Sequence, residues 1–356
     1  MISIRQIFGY FFWLGATGFG GPVALIAHIK TDWVDRKKWM TEEEYLEGLG
    51  MATALPGPIA SQLAIYCGWL KKGLWGGTVA GVSFIIIPFL ICVGLGFLYQ
   101  RYQTFAWMEN LFYGIAPVIA ALIANACLKL AKTTIKNKTL AILFAVVFGI
   151  VFFSRFNFVY LLLAVGTLGA IIHAKKPVTK MLSLHWPLFI FFFKAGLLIF
   201  GSGLVILPFL QQFVVHQYQW ISEQAFLDSI AVGMMTPGPV LITATFVGFL
   251  VEGIGGAFTA TAGMFLPSLL LIFAAAPLLR RHKNHRWLAG FIQWISVGVA
   301  SVLAATSIGI LQKSIIDWPT VAIALLAFLT LQRFRIPDPI LVAIGGLTGL
   351  LLKTAL

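Results

Sequence analysis

Residues 41–70 read TEEEYLEGLGMATALPGPIASQLAIYCGWL, and the triplet Pro56-Gly57-Pro58 at their centre decides the fold. The runs on either side are apolar enough for a hydrocarbon core, yet two prolines and a glycine interrupt any continuous helix. A helix broken at membrane depth strands N–H and C=O groups that lipid cannot satisfy. Such a break is tolerated only where protein packs on it or where it lines a polar cavity.

The stretch occurs twice. At 222–250 a second apolar run carries Pro237-Gly238-Pro239 in its middle, 181 positions after the first triplet. At the same offset Phe11 and Phe12 fall on Phe192 and Phe193, Phe19-Gly20 on Phe200-Gly201, Trp39 on Trp220, and Glu47 on Asp228. After one deletion Gly68, Gly73 and Gly76 fall on Gly248, Gly253 and Gly256. Self-similarity over half the length marks an internal duplication. The expected units are 1–176 and 186–356, joined by a polar linker at 177–185.

Composition fixes the solvent. Hydrophobic residues make up 60% of the 356 and charged residues 10%, with a mean hydropathy of +0.94. A soluble domain carries about 25% charged residues. Each half offers six apolar segments, roughly 8–29, 41–70, 74–100, 108–130, 139–153 and 156–173, then 188–215, 222–250, 254–279, 287–312, 318–332 and 337–353. A span needs about 20 helical residues. The net charge of +13 sits in short loops between these segments, which suits membrane topology and not nucleic acid. Cys67, Cys92 and Cys127 lie in apolar segments without metal-ligand spacing and read as small buried hydrophobes. The N-terminal apolar run lacks a small-residue cleavage site and reads as retained.

Loop charge discriminates between topologies. If all twelve segments span, Lys and Arg divide evenly between the two sides. If both PGP segments return to the side they entered from, 19 of the 25 Lys and Arg share one side, which the positive-inside rule makes cytoplasmic. The loop at Trp39 is basic and its counterpart at Trp220 is not, as an inverted repeat requires. The expectation is an all-α integral membrane protein of two inverted-topology repeats, about ten transmembrane helices plus two re-entrant or broken PGP segments, lying in the cell (inner or plasma) membrane with both termini outside.

Four motifs then form a candidate anion site: Gly20-Gly21-Pro22 in FGGP, Pro56-Gly57-Pro58, Gly201-Ser202-Gly203 in FGSG, and Pro237-Gly238-Pro239. Pro22, Pro58 and Pro239 are placed as first-turn prolines of the helices that follow. Opened N–H groups and the positive helix end attract anions. Glycine and proline also serve close packing and kinks in membrane helices. Ser61 and Gln62 after the first break, and Thr243 and Thr245 after the second, can add donors or bond their own backbone. Lys194, between FFF and an apolar run, is either an intramembrane charge facing the anion or a snorkelling headgroup contact. Glu47 and Asp228 are either a coupling pair for protons or a cation, or solvated at the interface. Thr41 with Glu44 fits a capping box, and Ser222 an N-cap.

These residues, LGATGFGGPVALIAHI with LPGP in the first half and KAGLLIFGSGLVILPFL with TPGP in the second, resemble the chromate transporter family in its long two-domain form. The resemblance covers nearly the whole chain. It implies export of chromate from the cytoplasm by a secondary transporter, with no cofactor. The implied partners are chromate or a sulfate-like oxyanion, the lipid bilayer, and a second copy of the chain in a homodimer. Two departures bear on substrate: Thr53 and Met234 stand where the family often has Gln, and FGSG replaces a glycine triplet. A related oxyanion such as sulfate, or an anion channel, is the alternative. A serine hydrolase using Ser202 would need a base, yet no His lies deep in an apolar segment.

Overall fold

The computed structural model describes residues 2–19, 21–102, 106–135, 138–153, 185–199 and 206–281, then 297, 301, 304, 308, 311, 312, 314–334, 336 and 338–355. Every regular element among them is helical. The first half runs α1 (Ile4–Thr17), α2 (Gly21–Ile29) widening into a π turn (Lys30–Arg36), α3 (Glu42–Ala54), α4 (Ile59–Tyr102), α5 (Ala106–Thr134) and α6 (Lys138–Phe153). The second runs α7 (His185–Leu197), α8 (Leu207–Leu210) widening into a π turn (Gln211–Gln217), α9 (Glu223–Met235), a 3-10 turn (Val240–Ile242), α10 (Thr243–Arg281), α11 (Trp318–Arg333) and α12 (Asp338–Ala355). The apolar segment at 156–173, nearly all of the one at 287–312, and 177–184 of the linker lie outside the described residues.

The PGP segments double back on themselves. Thr41 opens α3 with a capping box, its hydroxyl accepting from Glu44 N and Glu44 accepting from Thr41 N. After thirteen residues the helix stops at the triplet and α4 returns alongside it. Gly48 packs directly on the Tyr66 ring, where no β-carbon fits. Lys71, at the far end of the segment, reaches Glu44 at its start, 3.0 Å apart. An arm of thirteen residues is ~20 Å long. In the second half Ser222 caps α9 through Ala225 N, and the hairpin closes with Gly233 against Thr243.

A second reversal follows each hairpin. Within α4 the helix is interrupted at Lys72 (φ −140°) and Gly73 (φ +59°), and within α10 at Glu252 (φ −149°) and Gly253 (φ +60°). Residues eight apart on a straight helix are ~12 Å apart, yet Gly68 lies on the Gly76 backbone and Gly248 on that of Gly256. The chain therefore turns back at both points, and the glycines let the two arms touch.

The halves repeat each other locally. Lys38 (φ +50°) and Gln219 (φ +52°), 181 positions apart, hold the same left-handed conformation after each π turn. Trp39 N donates to Trp33 O (2.7 Å) and Trp220 N to Val214 O (2.9 Å). Tyr10 meets Trp39 edge-on, and Phe191 meets Trp220 the same way. Gly15 of α1 packs on the Phe84 backbone as Gly196 of α7 packs on that of Met264.

The two halves also pack on each other. Phe97 and Phe249 join α4 to α10 with ring centroids 4.7 Å apart. Gly114 of α5 sits against Gly345 and Gly349 of α12, and Gln332 of α11 reaches Asn125 of α5 at 3.4 Å. Among the described residues three helical stretches, Ile59–Tyr102, Asn110–Lys129 and Val240–Pro277, are long and apolar enough to cross a membrane, the first and third being those that turn back at Gly73 and Gly253. Large side chains such as Trp13 (67% exposed), Phe258 (68%) and Leu351 (70%) face outward. Burying a large apolar side chain is worth about 1.5–3 kcal/mol, so outward faces of this kind belong against lipid. The protein is an all-α, multi-pass membrane protein.

Candidate functional site

Each break is held by the opposite half. Gly57 N–H donates to Ile199 O (2.6 Å) at the end of α7, and Gly238 N–H donates to Gly18 O (2.9 Å) at the end of α1. Donors and acceptors are each 181 positions apart, so the two bonds are one contact made reciprocally. Gly18 and Ile199 immediately precede Phe19 and Phe200, the first residues of the two FG motifs. The structure thus ties each PGP triplet to the residue that precedes the opposite FG motif in sequence. Gly20 and 200–205, which include Gly201, Ser202 and Gly203, lie outside the described residues.

Pro22 stands in the first turn of α2, as expected from its sequence. Pro58 and Pro239 sit one residue earlier than expected, as N-caps. Pro58 O accepts from Gln62 N (2.9 Å) and Pro239 O from Ile242 N (3.0 Å). A proline with extended ψ at the cap still accepts the first helical bond while lacking the N–H it would strand. Pro239 has φ −77° and ψ 130°.

At the first break Gly57 is buried with φ +138°. No side chain fits there, because its first carbon would fall on both Gln62 Nε2 and Ser268 Oγ of α10. Gln62 Nε2 donates to Pro56 O (2.6 Å), which ties the triplet to the helix that follows. Ser61, Gln62 and Ser268 are buried, and Ser61 Oγ, Gln62 Oε1 and Ser268 Oγ have no partner among the described residues. The first-turn amides of α4 have no intrahelical acceptor. Together these groups give one helix N-terminus and two hydroxyls without a partner among the described residues.

At the second break the mirror position of Ser268 is Pro88, whose Cγ lies 2.7 Å from where a Gly238 side chain would start. The hydroxyls here are engaged. Thr236 Oγ1 donates to Val232 O (2.7 Å), Thr243 Oγ1 to Val240 O (2.8 Å), and Thr245 and Thr261 bond each other (2.6 Å).

Lys194 is in the last turn of α7 with its side chain exposed, as is that of its repeat mate Trp13. The structure does not place it among the groups at the breaks. The carboxylates also part company. Glu47 is half-buried on α3. Asp228 is 3% exposed on α9 and accepts from Tyr99 Oη (2.5 Å) and Gln224 Nε2 (3.0 Å). Of the family-related departures, Thr53 is exposed and bonds Leu49 O and Gly50 O, while Met234 is buried. His28 is exposed at the end of α2. Ser268, Pro88 and Tyr99 escape a reading of the sequence because each sits inside an apolar helix, and only the repeat offset would have drawn attention to the first two.

No solved structure matches this chain. The Chromate transporter family model matches twice, over residues 5–170 and 186–350. The chromate transport protein of Cupriavidus metallidurans is 36% identical over 372 residues, covering 98% of this chain and 93% of its own. The probable chromate transport protein of Synechococcus elongatus is 34% identical over 382 residues, covering 98% and 95%. Relatives named for transport, matched end to end on a helical membrane chain, set this protein apart from enzymes. The chain belongs to the chromate transporter family.

Proposed function

We propose that the protein exports chromate from the cytoplasm across the inner (plasma) membrane by alternating access, with the oxyanion held where FGGP, LPGP, FGSG and TPGP converge. The observation that carries this reading is the reciprocal pair of bonds from Gly57 N–H to Ile199 O and from Gly238 N–H to Gly18 O. Two broken helices tied to each other's repeats bring helix N-termini together at depth, and such termini favour a compact anion. Discontinuous helices in duplicated halves are the usual construction of secondary transporters, with the site at the repeat interface. The inverted orientation follows from the basic loops, and it makes the cytoplasmic face the one bearing Lys38 and Lys71.

Asp228 is the coupling group in this reading. A carboxylate buried in a membrane protein with only neutral hydrogen-bond donors is a functional position by default, and Asp228 is more deeply buried than its repeat mate Glu47. Helix N-termini select charge and size and carry no chemistry specific to chromium, so sulfate is the natural competitor. Flux into proteoliposomes of purified protein, measured with chromate, sulfate and molybdate, tests the proposal. Saturable chromate flux inhibited by excess chromate is expected. Flux of sulfate or molybdate without chromate reassigns the substrate. No saturable flux of any of the three overturns the proposal.

A further inference from the structure

The backbone of the two breaks is symmetric, but their side chains are not. In the second break every hydroxyl already serves the protein: Thr236 and Thr243 bond backbone carbonyls, and Thr245 pairs with Thr261. Its facing wall is Pro88. In the first break Ser61 Oγ and Ser268 Oγ have no partner among the described residues, although the residues are only 1% and 0% exposed. More than 90% of buried polar groups are paired, so two bare hydroxyls beside one helix N-terminus need a reason. At the repeat offsets Ser61 replaces Ile242 and Ser268 replaces Pro88. One break of the duplicated scaffold carries polarity that the other lacks, and it comes from both repeats: Ser61 from the first, Ser268 from the second.

We propose that the first break alone is the oxyanion subsite, and that Ser268 of α10 is its specificity-determining hydroxyl. The anion binds at the Gly57 turn, where Ser268 Oγ and Gln62 Nε2 leave no room for even a methyl in this structure, so admitting it requires the Ser268 side of the break to draw back. The anion accepts from Ser268 Oγ, from Ser61 Oγ and from the first-turn amides of α4. Gln62 has a positioning role: its Nε2 holds Pro56 O, and its Oε1, an acceptor, takes no anion oxygen. The second break is the structural mate that keeps the repeats in register. Because Ser268 belongs to the opposite repeat, the subsite is complete only while the two halves are docked, which ties affinity to the relative position of the repeats.

This inference rests on the transport reading, and binding measurements separate the two. Chromate binding to purified full-length protein is measured by equilibrium dialysis at fixed pH and low salt. Ser268→Ala is expected to raise Kd about tenfold, in line with loss of one hydrogen bond to a charged group. Ser268→Thr, which keeps the hydroxyl, is expected to stay within about threefold of wild type. Without anion, Ser268→Ala should melt no lower than wild type, because it removes an unpaired buried hydroxyl. Ser83→Ala, in which the lost hydroxyl already bonds Ala80 O, is the control for generic damage to a membrane helix. Should Ser268→Ala fail to fold, Ser61→Ala carries the same expectation. An unchanged Kd in Ser268→Ala, or an equal loss in Thr243→Val at the second break, overturns the subsite while leaving transport intact. Wild-type protein that binds neither chromate, sulfate nor molybdate overturns both.

Discussion

Replacing Gly57 by alanine perturbs the site at its tightest point. The residue has φ +138°, a region where an L-residue is strained by about 1–3 kcal/mol. The added methyl also lands on Gln62 Nε2 and Ser268 Oγ, nearer than real side chains approach. Gln62 is the flexible partner and gives way. That releases its 2.6 Å bond to Pro56 O, a loss of about 0.5–1.5 kcal/mol. Together the two effects come to about 3 kcal/mol against the native form of the break. Each 1.4 kcal/mol is tenfold in population, so the competent conformation should fall about a hundredfold. Gly9→Ala is the comparison: nothing lies within 4 Å of the new methyl, and a mid-helix alanine is favoured by up to about 1 kcal/mol. Both variants are reconstituted at equal protein content and assayed for chromate flux and for chromate binding. Gly57→Ala should lose flux and affinity together while Gly9→Ala keeps both. Flux in Gly57→Ala within about twofold of wild type would refute the assignment of the PGP turn to the site.

Other outcomes follow from the same geometry. Lys38 and Gln219 occupy equivalent turns, so in a background freed of the three buried cysteines, Lys38→Cys should resist an impermeant thiol reagent in intact cells. Gln219→Cys should label; labelling of both sinks the inverted arrangement. Asp228→Asn keeps an acceptor for Tyr99 and should leave chromate affinity unchanged while lowering gradient-driven flux at least about tenfold. Normal driven flux in that variant would remove Asp228 from coupling. Lys194→Met should shift Kd less than about twofold, because that side chain lies on the outer surface, as does that of Trp13, whereas the groups at the first break are buried; a tenfold loss would bring Lys194 into the site.

Much of the architecture could be read from residues alone because it rests on backbone chemistry. Prolines and glycines at 56–58 and 237–239 interrupt helices wherever they occur, and the offset of 181 tells which interruptions correspond. Thr41 and Ser222 marked the helix starts that the structure shows. The first apolar run of each half was harder. The apolar segment 8–29 of the first half is two helices, Ile4–Thr17 and Gly21–Ile29; Pro22 marks the start of the second, but apolar residues give no sign of where Gly18 ends the first. The reversals at Gly73 and Gly253 likewise read as loops between segments. Only the contact of Gly68 with Gly76 shows how sharply the chain folds back.

The site was only half accessible because sequence reasoning pairs residues within a motif, whereas the structure pairs them across repeats. Gly57 is bounded by Ser268, 211 positions away, and no local pattern connects them. Duplication makes the connection intelligible. A duplicated chain starts with two equal breaks, and an anion small enough for one helix terminus needs only one of them. The reciprocal bonds through Gly18 and Ile199 keep both breaks whether or not both bind, since each satisfies an amide that lipid would leave bare. That constraint acts on backbone and leaves side chains free to diverge. The second copy can close itself with threonines and Pro88, while the first keeps buried hydroxyls whose desolvation only a ligand offsets. A buried hydroxyl without a partner costs about 1–3 kcal/mol, so an apolar pair at Ser61 and Ser268 would stabilise the empty protein. Their presence at a break where the mirror copy has Ile242 and Pro88 is what a binding role requires and what packing alone does not explain.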